Sequence, residues 1–340
     1  MKIDWRPTAS REMLERRASL LARVRQFFAA RRVLEVDTPI VVNAPVTDVH
    51  IHSARVDLGA APGVSATGPY FLHTSPEYAM KRLLAAGSGD IYQICHVVRG
   101  YERGRLHNCE FTLIEWYRTG FSLSQLMDEV DALVRELVAD TTRAHERLSY
   151  RDAFLQYLQI DPFVVDTREL ASVARGFGFE GVRGGESSAD DWPSRRGQDL
   201  SSRDELLEFL MGTQVGPQLG RGALTFVHGY PASQAALARL DPTDPRAALR
   251  FELYCDGVEL ANGFHELASE PEQRARFECD RVERRRQGQP HDALDERLLA
   301  ALLSGIPDCA GVAVGFDRVL MLATGANRIE DVLAFPTEIA

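Results

Sequence analysis

Glu259-Leu260-Ala261-Asn262-Gly263-Phe264-His265-Glu266 and Gly311-Val312-Ala313-Val314-Gly315-Phe316-Asp317-Arg318 decide how this chain folds. The first alternates as a half-buried strand does, with one carboxylate near its start and another at its exit. The second is a glycine-punctuated apolar run that ends in Asp-Arg and opens a helix. Working upstream, Ile91–Val98 reads as a strand that ends in Arg99, and Phe111–Tyr117 as a second one. A charged loop joins them, running from Arg99-Gly100-Tyr101-Glu102 to His107-Asn108-Cys109-Glu110. An arginine closing an apolar strand is either a snorkelling surface side chain or an anion ligand, since its planar fork matches phosphate oxygens.

The 340 residues suffice for one large α+β domain or two smaller ones. Hydrophobic content of 45% with 26% charged residues is that of a globular chain, which excludes disorder as the default. The net charge of −10 argues mildly against broad nucleic-acid binding, which needs Lys and Arg to neutralise phosphates. Five scattered cysteines, odd in number and without a C-x-x-C pair, read as reduced thiols. The N-terminus carries no apolar leader, and the apolar run at 312–323 is broken by Asp317 and Arg318. A soluble cytoplasmic protein, with no membrane contact, is expected.

Residues 10–32 carry Met13, Leu14, Leu20, Leu21, Val24, Phe27 and Phe28 at amphipathic-helix spacing. An extended segment follows, Val33 to Pro39, whose proline suits an edge or boundary. Val49–Val56 alternates like a strand, 59–69 reads as a loop, and Pro76–Ala86 as a short helix with proline at its opening. Leu123–Ala139, Tyr150–Leu158 and Thr167–Arg175 read as helices. The polar stretch 181–203, with Trp192 isolated in it, is expected to be a mobile insertion rather than a linker, because the informative segments lie on both sides of it.

Several familiar patterns fail on context. Gly176-Phe177-Gly178-Phe179-Glu180-Gly181 matches G-x-G-x-x-G but follows a helix rather than a strand, so a helix C-cap explains it better than a dinucleotide site. His265-Glu266 begins H-E-x-x-H, yet Ser269 stands at the second histidine position. No P-loop and no G-x-S-x-G occur. His50 and His52 read as members of a partly exposed strand rather than metal ligands.

Taken together, these segments resemble the ATP-binding signatures of class II aminoacyl-tRNA synthetases in the lysyl branch. The resemblance runs from about residue 10 to residue 336, as one catalytic domain spanning 1–340 with motif 1 near 10–45, motif 2 near 91–117 and motif 3 near 308–336. It implies an antiparallel six-stranded sheet flanked by helices, dimeric through the helix and strand of motif 1. It implies ATP and Mg²⁺ as cofactors. Arg99 would hold the α-phosphate and Arg318 the γ-phosphate, the two catalytic residues. Gly100, Tyr101, Asn108, Glu259, Leu260 and Gly315 would complete the ATP site. Ser75, Pro76, Glu77, Tyr117, Asn262, Glu266 and Ala313 would shape the amino-acid site. Glu259 and Glu266 are the expected Mg²⁺ ligands, carboxylates being suited to that ion.

The lysyl enzymes carry an N-terminal anticodon-binding domain, for which the resemblance leaves no residues here. The chain is similar to the truncated bacterial paralogues that join (R)-β-lysine to a lysine of elongation factor P, so no tRNA is expected. Pro231-Ala232-Ser233-Gln234-Ala235, Ala261, His265 and Ala313 follow that paralogue rather than the synthetase. One methyl group, as at Ala313, shifts selectivity by about 1–3 kcal/mol. The family's Arg-Asn-Glu-Glu run is here Arg99-Gly100-Tyr101-Glu102, so the third position loses its negative charge. Either Glu102 substitutes for it or ligand binding is weakened. The rivals are an α-lysine ligase with another acceptor and a catalytically silent binding protein.

Overall fold

The computed structural model describes residues 5–59, 69–139, 142–180 and 202–340. Helix α1 (Arg11–Ala30) is capped by the Ser10 hydroxyl and buries Leu20, Val24, Phe27 and Phe28, the stripe that the spacing predicts. The short strands β1 (Leu34–Glu35), β2 (Val41–Val42), β3 (Arg55–Val56) and β4 (Tyr70–Leu72) follow, then α2 (Glu77–Ala85). Strands β5 (Ile91–Val98) and β6 (Glu110–Thr119) form the hairpin read from sequence, and α3 (Leu123–Val138) leaves it through a Ser122/Gln125 capping box. Next come β7 (Ala144–Ser149), α4 (Tyr150–Leu158), α5 (Thr167–Gly176) and α6 (Arg203–Leu210). The remainder is β8 (Ala223–Pro231), β9 (Ala247–Cys255), β10 (Val258–His265), α7 (Glu270–Arg286), α8 (Glu296–Ser304), β11 (Cys309–Gly315) and α9 (Phe316–Thr324).

Eight strands make the main sheet in the order β1-β5-β6-β11-β10-β9-β8-β7. Its inner six, β5 to β8, are antiparallel throughout, as expected. One strand is added in parallel at each edge, β1 against β5 and β7 against β8, so the sheet is wider than the six strands anticipated. Neither is a hairpin neighbour in sequence, and such long-range pairing leaves no local signal.

Alternation along each strand sorts the two faces. On β6 Ile114 and Trp116 enter the core shared with α1, α3 and α9, and so do Val312 and Val314 on β11 and Phe251 and Leu253 on β9. The intervening residues Glu115, Tyr117, Ala313, Asn262 and Glu252 therefore share the opposite face. Register runs them across the sheet as neighbours: Glu115 opposite Ala313, Ala313 opposite Asn262, Asn262 opposite Glu252. A row of polar side chains on an inner sheet face marks the floor of a site.

Two expectations need correction. Residues 49–54 form a turn and coil rather than a strand, and only Arg55–Val56 pairs. Their carbonyls go elsewhere: the buried Arg284 donates to Asp48 O and Ile51 O, and Gly100 N donates to His52 O. The proposed insertion 181–203 lies mostly outside the described residues. Of its final two residues, Ser202 caps α6 and Arg203 begins it. The Gly176–Gly181 pattern is a helix end as expected up to Glu180, with Gly178 at φ 90°. None of the five cysteines is in a disulfide, and among the described residues no helix is long and apolar enough to cross a membrane.

Candidate active site

A cleft of about 780 Å³ opens on the polar face of the sheet, walled by α2, α6, α7 and the segment 46–51. Its two ends differ in charge. Arginine dominates one end, and buried carboxylates dominate the other.

At the first end Arg99 leaves β5 over the ring of Phe111, 5.1 Å from its centroid, and its Nε donates to Thr74 O. Arg318, in the first turn of α9, donates through Nη1 to Glu259 O at 2.8 Å and lies 2.7 Å from His107 Nε2 through Nη2. Burial, then the charge of Arg318, lowers the His107 pKa, so a neutral ring accepts that bond. The helix is anchored by its neighbour Asp317, which accepts from Thr112 N at 2.7 Å and pairs with Arg17 of α1. One buried carboxylate thus ties α1, β6 and α9 together beneath the arginines.

Glu259 and Glu266 sit near the start of β10 and just past its end, about 20 Å apart at strand rise. That separation keeps them from sharing one ion. The carboxylate that faces Glu259 is Glu252 of β9: burial and then Glu252 raise the Glu259 pKa, against Arg318 and Arg250. Glu252 accepts from Tyr230 and Tyr254 hydroxyls at 2.6 Å each and pairs with Arg250 at 2.6 Å. The sequence reading missed Glu252. Its signal is faint: two residues before Tyr254 on a strand whose partner is β10.

At the second end Lys81 is 1% exposed, with Nζ 2.7 Å from Glu77 and 2.6 Å from Glu266. Burial disfavours the ammonium, but Glu266 and then Glu77 outweigh it and raise its pKa. Glu115 is buried beside them, accepting from Ser75 Oγ at 2.8 Å and Tyr117 Oη at 2.9 Å. Burial, then Glu77, pushes Glu115 up to about 8. Burial pushes Glu266 up to about 7 against the pull of Lys81. Glu77 and Glu266 therefore share one ammonium on the cleft wall, with the raised Glu115 carboxyl beside them, an arrangement suited to added cations. Lys81 and Glu115 were also missed, although Lys81 lies one helical turn from Glu77 and Glu115 shares the strand face of Tyr117.

Gly311 is required by this packing. A Cβ there would come within 2.3 Å of the Tyr117 ring and 2.5 Å of Glu266 Oε1. A Cβ at Gly315 would make only ordinary contacts, 3.8 Å from the Arg318 side chain and 3.9 Å from Leu260 O, and Ala313 lines the cleft between Glu115 and Asn262.

Of the residues assigned from sequence, Ser75, Glu77, Arg99, Tyr117, Glu259, Leu260, Asn262, Glu266, Ala313, Gly315 and Arg318 line the one cleft. Pro76, Gly100, Tyr101 and Asn108 do not. Pro76 sets the start of α2, and Gly100 packs on His52. Asn108 is buried, donating to Glu110 O at 2.7 Å and accepting from Thr337 N at 3.1 Å. Tyr101 takes φ 65° and is 86% exposed, its ring edge-on to His52. The left-handed turn sends Tyr101 outward and brings Glu102 to 3.8 Å from Arg99. Glu102 thus supplies a negative charge beside the motif-2 arginine.

An antiparallel sheet with two arginines and a carboxylate row in one cleft is an arrangement consistent with the catalytic fold of the class II synthetases. The family described as "tRNA synthetases class II (D, K and N)" matches residues 2–339, and the chain belongs to it. Within that family it is 47% identical over 333 residues to the elongation factor P–(R)-β-lysine ligase of Vibrio cholerae, covering 98% of each chain. It is 47% identical over 340 residues to the enzyme of that name from Vibrio vulnificus, covering both chains fully. Proteus mirabilis supplies another at 46% over 333 residues, 98% of this chain and 97% of the relative.

Proposed function

We propose that this protein activates (R)-β-lysine with ATP and transfers it to a lysine ε-amine of elongation factor P. The carrying observation is the carboxylate cluster at the amine end, where Glu77 and Glu266 share the buried Lys81 and the Glu115 carboxyl is buried beside them. A diamino acid brings two ammonium groups, which can pair with the Glu77 and Glu266 carboxylates and draw the raised Glu115 carboxyl toward its ionised form. The full-length relatives named as ligases support the same reading and favour neither the α-lysine nor the silent alternative.

In the first step a carboxylate oxygen of the amino acid attacks the α-phosphorus, pyrophosphate leaves and an acyl-adenylate forms. In the second the acceptor amine attacks the acyl carbon, AMP leaves and an amide remains, with one proton released. No side-chain nucleophile is needed, so orientation and charge stabilisation carry the rate. Arg99 and Arg318 are suited to phosphate oxygens by their paired donors. Glu102 orients Arg99 from the side, and neutral His107 orients Arg318. Glu259, whose pKa burial and then the neighbouring Glu252 raise, would with Glu252 hold a divalent cation that offsets this cost. Mg²⁺ held there would neutralise charge on the phosphates and leaving pyrophosphate.

The same reading includes a homodimer, supported by the unpaired edge strand β1 with Leu34 and Ile40 exposed beside it. It includes a cytoplasmic enzyme that works without tRNA. The test is acceptor modification. Purified elongation factor P, ATP and (R)-β-lysine with this protein are expected to yield one β-lysyl adduct on a lysine, located by mass spectrometry. Its absence while the protein remains folded overturns the assignment.

A further inference from the structure

Gln273 and Gln234 are not used by any step above, yet both line the cleft that holds Glu77 and Glu266. Gln273, in the opening turns of α7, is 1% exposed, and neither end of its side-chain amide has a partner. Gln234, just after β8, is 9% exposed with its Nε2 unpartnered, while its backbone carbonyl is held by Arg250 at 2.7 Å. Arg276, one turn along α7 from Gln273, donates to Ala236 O at 2.8 Å and Ala238 O at 2.7 Å. Those bonds seat the start of α7 against the segment that carries Gln234. Buried polar groups in folded proteins are nearly always hydrogen-bonded, so two unsatisfied primary amides in one cleft point to a ligand that satisfies them.

We infer that Gln273, flanked by Gln234, forms a hydrogen-bonding subsite for the amino-acid substrate, distinct from the carboxylates at the amine end. A primary amide accepts through Oε1 and donates through Nε2. An amino acid carries the complement, an ammonium to donate and a carboxylate or acyl oxygen to accept. The phosphates have no donor for Oε1, and the segment that carries Gln234 pairs with Glu266 through Ala238, so the subsite is assigned to the amino acid at that end of the cleft. Its position on α7 and the 232–238 segment leaves the arginine end untouched. The inference rests on the diamino-acid reading of the cleft, and the experiment separates the two.

Gln273→Met keeps the shape and removes both polar ends, and Gln273→Glu keeps an acceptor. Replacing an unsatisfied buried amide by an apolar isostere is neutral or stabilising to the free protein. The expected result is therefore a melting temperature for Gln273→Met equal to or above wild type. With it, KM for (R)-β-lysine in ATP–pyrophosphate exchange rises about tenfold, as for one hydrogen bond to a charged group. KM for ATP stays within about twofold, on the same scale. Gln273→Glu is expected to recover part of the amino-acid affinity, and Gln234→Met to give a smaller rise with the same selectivity. Unchanged amino-acid KM in Gln273→Met, or an equal rise in both KM values, overturns the inference while the ligase reading stands. Wild-type protein that activates no diamino acid overturns both.

Discussion

Lys81→Met isolates the electrostatics of the amine end. Methionine keeps the length and apolar stem of lysine and removes only the charge. In the wild type the Lys81 ammonium lies 2.7 Å from Glu77 and 2.6 Å from Glu266, 1% exposed. Breaking a buried pair by deleting one partner costs about 3–5 kcal/mol, because the remaining charge keeps its desolvation penalty. At about 1.4 °C per kcal/mol for a chain of this size, the melting midpoint at pH 8 falls by roughly 4–7 °C. The sign with pH follows from the carboxylates. Glu266 sits at about 7 with Lys81 present. Without the ammonium its pKa rises further, so by pH 5.5 it is protonated and the deficit shrinks. Thermal unfolding at both pH values, without and with saturating (R)-β-lysine, reads the effect. The substrate's ammonium groups are expected to stabilise Lys81→Met more than the wild type. A loss below about 2 °C at pH 8, well under the span set by these costs, would refute the reasoning. So would the same loss at both pH values.

Gly311→Ala forces a methyl against the Tyr117 ring and Glu266, so overpacking of about 1–3 kcal/mol should appear as a raised KM for the amino acid and a lower melting point, with KM for ATP little changed. Glu115, raised to about 8, binds a proton in the folded protein that it has lost when unfolded, so its contribution is complete below the ordinary carboxylate range and is lost as pH rises through about 8. Glu115→Gln should therefore flatten the decline in melting temperature between about pH 4.5 and 8, the span from the ordinary carboxylate value to the folded one, as scanning calorimetry would record. Tyr101→Glu adds charge at an 86% exposed position turned away from the cleft, and exchange rates are expected to change by less than about threefold, under 1 kcal/mol. Arg318→Lys keeps the charge but loses the fork that bonds Glu259 O and His107, and KM for ATP should rise at least tenfold, a hydrogen bond to a charged group being worth about 1.5–3 kcal/mol.

What the sequence disclosed follows the range over which its signals act. Strand β10 and the β11–α9 junction were legible because alternation and the Asp-Arg ending are local, and α4 begins and ends where its spacing places it. Val49–Val56 misled because alternation says nothing about partners: Arg284, more than two hundred residues away, takes the Ile51 carbonyl, and Gly100 N takes that of His52. The site was legible where a motif holds its residues together, as at Arg99, Arg318, Glu77 and Glu266. Glu252, Lys81 and Glu115 escaped because their roles depend on cross-strand register and on burial. Tyr101 drew attention as a departure, but the backbone at φ 65° turns it outward and leaves Glu102 beside Arg99.

ATP–pyrophosphate exchange with (R)-β-lysine and L-α-lysine in parallel tests the central claim most directly, because it reports adenylate formation without any acceptor. Exchange that depends on the amino acid and prefers (R)-β-lysine is the predicted result. No exchange with either amino acid, from protein that is folded and binds ATP, would contradict the account.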